Sequence, residues 1–204
     1  MTNGREIIVE TFDISTLSEN LIDRAIRAAK LDVELYEEVE ADERLTPQAI
    51  AVVVIAAIAG GIGGALGTII GGGGVGAFFL ALILTPIVAV IGYFIWAALT
   101  YLIGTRLFQG TADYGEMLRA LGYSYGPQVL GLLSFIPCIG LLLSLVGSIW
   151  ALVAGVIAVR QALDFDTGKA VITCIIGWIV MLILSFILSV IGIGGAMAFG
   201  ALAP

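Results

Sequence analysis

The chain has 204 residues, 60% of them hydrophobic and only 12% charged, with a mean hydropathy of +1.10 and a formal net charge of −7. Soluble domains are about one-quarter charged and disordered chains are poor in apolar residues, so neither class accommodates this composition. No Asp, Glu, Lys or Arg occurs in 45–105, 120–159 or 170–204, and each gap exceeds the ~20 residues that one bilayer-spanning helix needs. The sequence therefore reads as an all-α, polytopic membrane protein.

Residues 1–46 carry 12 acids and five bases, and the remaining chain carries four of each, so the net acidity is wholly N-terminal. Such a segment is a poor ligand for nucleic acid or anionic headgroups, both of which select Lys/Arg clusters. There is no histidine, and Cys138 and Cys174 are the two cysteines. A Cys/His zinc site and a Cys-x-x-Cys redox pair are thus both excluded, and no metal or cofactor is expected. Residues 1–30 lack the basic-then-apolar order of a secretory signal, so the N-terminus is expected to be retained.

In chain order, residues 1–14 are expected to be extended or loose. Thr16-Leu-Ser-Glu19 fits a capping box and predicts a helix with Leu17, Leu21, Ala25 and Ala28 on one stripe, flanked by Ile22 and Ile26. Asp32 can cap a second short helix, with Leu35, Tyr36 and Val39 inward and Glu34, Glu37, Glu38 and Glu40 outward. Residues 1–46 thus form a short acidic amphipathic segment, expected on the cytoplasmic side, and 47–204 form the membrane domain. Pro47 suits the first turn of span one, over 48–70. Gly71–Gly74 is the turn, and span two covers 77–103 with Pro86 inside it. Residues 104–118 read as a polar loop. The stretch from Arg119 to Val159 would be about 60 Å long as one helix, twice the hydrocarbon thickness. Breaking it at Ile136-Pro137-Cys138 gives span three over 120–136 and span four over 139–159. Span five covers 170–191.

Five transmembrane helices place all nine Lys/Arg on one side and none on the other. The positive-inside rule then predicts a plasma-membrane (cell inner membrane) protein with a cytoplasmic N-terminus and an external C-terminus. This topology separates Cys138 from Cys174 by more than a disulfide can reach, so both are expected to be free.

Ten of the 17 residues in 60–76 are Gly, with Gly60/Gly64, Gly63/Gly67 and Gly72/Gly76 at GxxxG spacing, and span four carries a similar stripe through Gly140, Gly147 and Gly155. Small residues let helix backbones approach closely in lipid, so the stripes serve either packing within one bundle or a homo-oligomer. A phosphate cradle in 61–76 lacks the Lys-Ser/Thr of a P-loop. No residue at membrane depth is ionisable at neutral pH, which argues against proton relays, cation pumps, voltage sensors and intramembrane proteolysis, so no catalytic residue is nominated. Gln128 is the strongest polar candidate because a buried amide has several hydrogen bonds to satisfy. Trp96, Trp150 and Trp178 each lie nine or ten residues from an inner cation and so share a depth. They form either a packed or lipid-facing aromatic layer or the lining of an apolar cavity between spans two, four and five.

The segment Leu118-Arg-Ala-Leu-Gly-Tyr-Ser-Tyr-Gly-Pro127 resembles a signature of the Yip domain family (Ypt/Rab-interacting proteins), bacterial branch. The resemblance continues through Ile136-Pro137-Cys-Ile-Gly140, Ser148-Ile-Trp150, Val159-Arg160-Gln-Ala162 and Thr167-Gly168-Lys169-Ala170, with Leu35-Tyr36-Glu37-Glu38-Val39 upstream, and covers roughly residues 30–190. It implies a five-span helical domain with a cytoplasmic N-terminus. Eukaryotic members are membrane partners of Rab GTPases in vesicle traffic. That activity does not carry over to bacterial members, so the leading expectation is a non-enzymatic scaffold or adaptor whose acidic helices dock on the inner loops or on a partner protein, with a passive permease or lipid-handling protein, using a groove lined by small residues and tryptophans, as the alternative. By the same resemblance Gly122, Tyr123 and Pro127 set the start of span three, Pro137 and Gly140 the outer turn, Trp150 the packing of span four, and Gly168 and Lys169 the inner end of span five. Gly60, Gly64, Gly67 and Gly147 complete the helix-packing set, and Trp96, Trp178 and Gln128 are the groove candidates. Expected partners are membrane lipids, a protein bound through the N-terminal helices, and a second copy of the chain.

Overall fold

The computed structural model describes the backbone of residues 14–202 and the side chains of residues 21–190. Among the described residues every element is helical: α1 (Ile14–Ala29), α2 (Val33–Ala41), α3 (Thr46–Ile70), α4 (Val75–Phe108), α5 (Tyr114–Ser124), a 3-10 segment (Gly126–Phe135), α6 (Ile139–Ala162) and α7 (Thr167–Leu202). Four helices are long and apolar enough to cross a membrane, within Glu43–Ile70, Val75–Phe108, Ile139–Ala162 and Thr167–Val190.

The N-terminal helices follow from their caps and stripes. The chain is already helical at Ile14, so Thr16 lies inside α1 rather than at its cap, and the side chains of the expected capping box lie outside the described residues. Asp32 caps α2 by accepting from the Glu34 N–H at 3.1 Å. Leu35, Tyr36 and Val39 are fully buried, as the apolar stripe of α2 requires. Pro47 stands in the first turn of α3. The glycine run ends that helix, with Gly72 at φ +83 in the left-handed region that Gly enters without steric cost.

The largest departure from the sequence reading is the third apolar stretch. The expected helix over 120–136 is not one helix. α5 begins earlier, inside the expected polar loop, because Asp113 and Glu116 form a reciprocal capping box with bonds of 2.8 and 2.7 Å. It stops at Ser124, and Pro127, which has no N–H to continue an α-helix, opens ten residues of 3-10 conformation. Runs of more than three or four 3-10 residues are uncommon. Gly122 lies against Ala49, Gly131 against Gly60, and Phe135 against Gly67, so this stretch runs parallel to α3. The register explains the conformation. Ala49 to Gly67 is 18 residues of α-helix, or about 27 Å. Gly122 to Phe135 is 13 residues, which would cover only about 20 Å as α-helix but reaches about 25 Å at the 3-10 rise of roughly 2.0 Å per residue.

The charged segments gather at one end of the bundle. Thr111 donates to Asp164 Oδ2 at 2.8 Å, joining the α4–α5 and α6–α7 loops. Gln161 at the end of α6 donates to Glu37 Oε1 at 2.7 Å, which brings the N-terminal helices to the same face. At this end the core is tight: Tyr93, Ala97, Met117, Leu121, Tyr123, Ala158 and Ala170 are all buried.

Candidate functional site

Two features stand out from the packing, a charged node that fastens α2 to the bundle and a polar notch at the middle of the helices. Arg119 builds the first. It sits in α5 at the border of the apolar stretch and is only 4% exposed. Its Nε donates to the carbonyls of Val39 and Glu40 at 3.1 and 3.0 Å, its Nη2 donates to Glu40 O, and its Nη1 reaches Thr46 Oγ1 at 3.5 Å. The last carbonyls of a helix have no partner within it, and a guanidinium with five donors can satisfy several at once. Arg119 thus acts as the C-terminal cap of α2 from another element. Nothing in local sequence pattern marks this role, although a cation bordering a 40-residue uncharged stretch could have drawn attention to it.

Around this node lie Glu37 and Glu40 of α2, Glu116 of α5 and Asp164 of the α6–α7 loop. Burial pushes the Glu40 carboxyl up to about 7, and the charges of Asp164, Glu116 and Glu37 push the same way, while Arg119 pulls it down. Its Oε2 is buried without a hydrogen-bond partner. Among the described residues no group of three or more Asp, Glu, His or Cys has metal-binding geometry.

Further bonds tie α1 and α3 to the node. Gln48 Oε1 accepts from Tyr123 at 3.0 Å and from Arg24 at 3.1 Å. Arg24 and Arg27 both pair with Glu38, at 3.2 and 2.9 Å. Trp150 Nε1–H donates to the Ala29 carbonyl at 2.7 Å. Tyr93 donates to the Leu118 carbonyl at 2.6 Å, and its ring packs edge-on against Tyr125.

The notch has a volume of about 180 Å³ and lies where α3, α4, α6 and the 3-10 segment meet. Gln128, Thr85, Ser144 and Ser148 supply its polar groups, and Gly60, Gly131 and Gly147 make room for it. Ser148 donates to the Ser144 carbonyl at 2.8 Å, whereas Ser144 Oγ is buried with no partner. With amide and hydroxyl groups but no titratable one, the notch can hold water or a small neutral polar group by hydrogen bonding.

The residues named from sequence take up distinct places. Gln128 lines the notch, but neither this cavity nor the larger one beside α1 is lined by a tryptophan. Trp96 packs on α7, where a Cβ on Gly177 would stand 3.1 Å from its Cζ3. Trp150 is bound to α1, and Trp178 is exposed. The three rings therefore do not line either cavity, because α6 and α7 present Trp150 and Trp178 outward. Gly122 and Gly147 lie at tight backbone approaches, to Ala49 and to the Pro127 carbonyl. Gly140 packs under the Ser134 carbonyl beside the turn at Pro137. Gly168 and Lys169 form the first turn of α7, with the Lys169 N–H bonded to Asp166 at 3.0 Å and its ammonium 5.5 Å from the Phe165 ring centre. Gly67 lies near the Phe135 backbone, but a Cβ on Gly60 or Gly64 would meet nothing within 4 Å. Gly63 makes the closest contact in α3, Gly67 an ordinary one, and Gly60 touches Gly131 through its backbone although its own Cβ position, like that of Gly64, is open. Both cysteines are free, Cys138 exposed and Cys174 buried.

No curated protein and no solved structure shows a detectable match to this chain. The family model of the Yip1 domain matches residues 33–200, which takes in α2, the Arg119 node, the 3-10 segment and the notch. The chain, a membrane protein with four membrane-length apolar helices, belongs to the Yip1 domain family.

Proposed function

We propose that this protein is a non-enzymatic scaffold or adaptor of the plasma (cytoplasmic) membrane, which presents its acidic N-terminal helices to a protein partner. The observation that carries this reading is the fastening of α2 to the bundle by Arg119, which leaves Glu34, Glu37, Glu38 and Glu43 exposed on a fixed platform. A fixed acidic surface can select a basic partner by charge complementarity at low ordering cost. In this reading α5 and the 3-10 segment together form a fifth passage, since their register along α3 covers most of a hydrocarbon core of about 30 Å. The nine Lys/Arg then face the cytoplasm, and Cys138 lies outside. No Asp, Glu, His, Lys or Arg lies in 45–105, 120–159 or 170–204, which fits a reading without proton transfer at membrane depth.

The test is site-specific photocrosslinking in native membranes from the exposed positions 41 and 43, read against the same crosslinker positions in a Glu34→Lys/Glu37→Lys/Glu38→Lys variant. A discrete protein adduct that disappears in the variant supports the adaptor. Adducts unchanged by charge reversal would refute it. The alternative of a passive permease or lipid-handling protein draws on the polar notch, and solute uptake into proteoliposomes that is abolished by Gln128→Leu would favour it.

A further inference from the structure

Beside α1 lies an apolar groove of about 380 Å³, within the roughly 300–1,000 Å³ usual for small-molecule sites. Ile22, Ala25 and Ile26 of α1 form one wall, and Val52 and Ile55 of α3 with Val129 of the 3-10 segment form the other. Val52 and Ile55 are six and nine residues beyond Thr46, or about 9 and 14 Å along α3. The groove is therefore at hydrocarbon depth. Ile55 and Val129 of its lining, and Ile58 and Leu132 three residues beyond them, are exposed on α3 and the 3-10 segment. α1 lies there as an interfacial helix does. Arg24 and Arg27 point to the charged face through Glu38, while Ile22 and Ile26 remain exposed. Lys30, one turn beyond Ile26, has no ion-pair partner among the described residues.

We propose that this groove is a site for one acyl chain of a phospholipid in the leaflet on the charged face, with Lys30 as the cation for its phosphate. Water does not stably fill an apolar cavity, and a bilayer supplies chains at the rim. The inference goes beyond the adaptor reading and stands independently of it.

The probe is a phospholipid with a diazirine near the middle of one chain, mixed into phosphatidylethanolamine/phosphatidylglycerol vesicles holding the full-length protein. After irradiation, labelled residues are mapped by mass spectrometry. Labelling per residue over 22–29 and 126–129 should exceed that over 83–91 of α4, a more exposed stretch, by about fivefold or more. Ala25→Phe should bring the groove down to the level of α4. If that variant does not fold, native mass spectrometry of the wild type in mild detergent decides, with one retained phospholipid per chain expected. Even labelling of groove and α4, or no retained lipid, would overturn the site. So would groove labelling that appears only after residues 1–13 are deleted, or only below the protein density at which copies crosslink to each other, since the occupant would then be protein.

Discussion

The two ends of this bundle are built differently. At the charged end α2, α5 and the inner parts of α4, α6 and α7 bury Tyr36, Tyr93, Tyr123, Arg119 and Thr173 almost completely. At the other end α4 from Val75 to Ile91 and α7 from Trp178 to Val190 contain no buried residue, and Val75, Leu141 and Phe186 are 68–75% exposed. In water such a surface would be a liability. In a bilayer an exposed Leu costs nothing relative to a packed one, so tight packing is required only where polar groups must be satisfied or backbones must touch. The charged end has both needs, and the opposite end is held together by the 3-10 segment packed between α3 and α6 and by α4 packed on α3.

That contrast can be tested by striking each end. The largest effect is expected from Gly63→Leu, because a Cβ there would meet Gly131 O and stand 2.6 Å from Ser134 Oγ and 2.8 Å from Leu132 O. The clash is with backbone, so the cost should reach or exceed the ~1–3 kcal/mol of ordinary overpacking, and no monodisperse species should survive size exclusion. Next is Arg119→Met, which orphans the final carbonyls of α2 at about 1–3 kcal/mol for a buried group left unsatisfied. Hydrogen exchange over 33–41 should accelerate while α3 stays protected. Glu40→Gln should act in the opposite direction and more weakly. Its folded pKa lies above the ordinary carboxyl value of 4.5, so the docked state holds the proton more tightly than the released one. Docking of α2 is then strongest below about 4.5, weakens as pH rises toward about 7, and stays at that lower level beyond it. The Gln variant should show more protection than wild type at pH 8 and little pH dependence. The smallest effect is expected from Gly64→Leu, within about 0.5 kcal/mol in thermal unfolding, since its face is open.

Much of this architecture was legible before any coordinates. The uncharged gaps located the four long helices, and the charge blocks brought Asp113 and Asp164 to one face, where Thr111 now joins their loops. The glycine run at 71–74 marked a turn because four such residues gain nothing from a helix. The 3-10 segment was not legible because its residues are apolar on every side. A period of 3.0 rather than 3.6 leaves no trace in a stretch with no polar face to display it, and Pro127 was read as part of the start of span three rather than as the end of a helix. GxxxG spacing in α3 likewise could not say which of its glycines faced a neighbour. At the candidate sites Gln128 was found from its amide alone, whereas Arg119 was not, since its partners are backbone carbonyls 79 and 80 residues away.

The ten residues from Gly126 to Phe135 have one more consequence. Rewinding them as α-helix would shorten the segment by about 5 Å, the difference between a rise of roughly 2.0 and 1.5 Å at each step. That is also about the difference in hydrocarbon thickness between thin and thick cellular membranes. In the proposed five-passage arrangement this segment has few residues for its length, so each residue deleted from it would draw the turn at Pro137 and Cys138 about 2 Å toward the charged end.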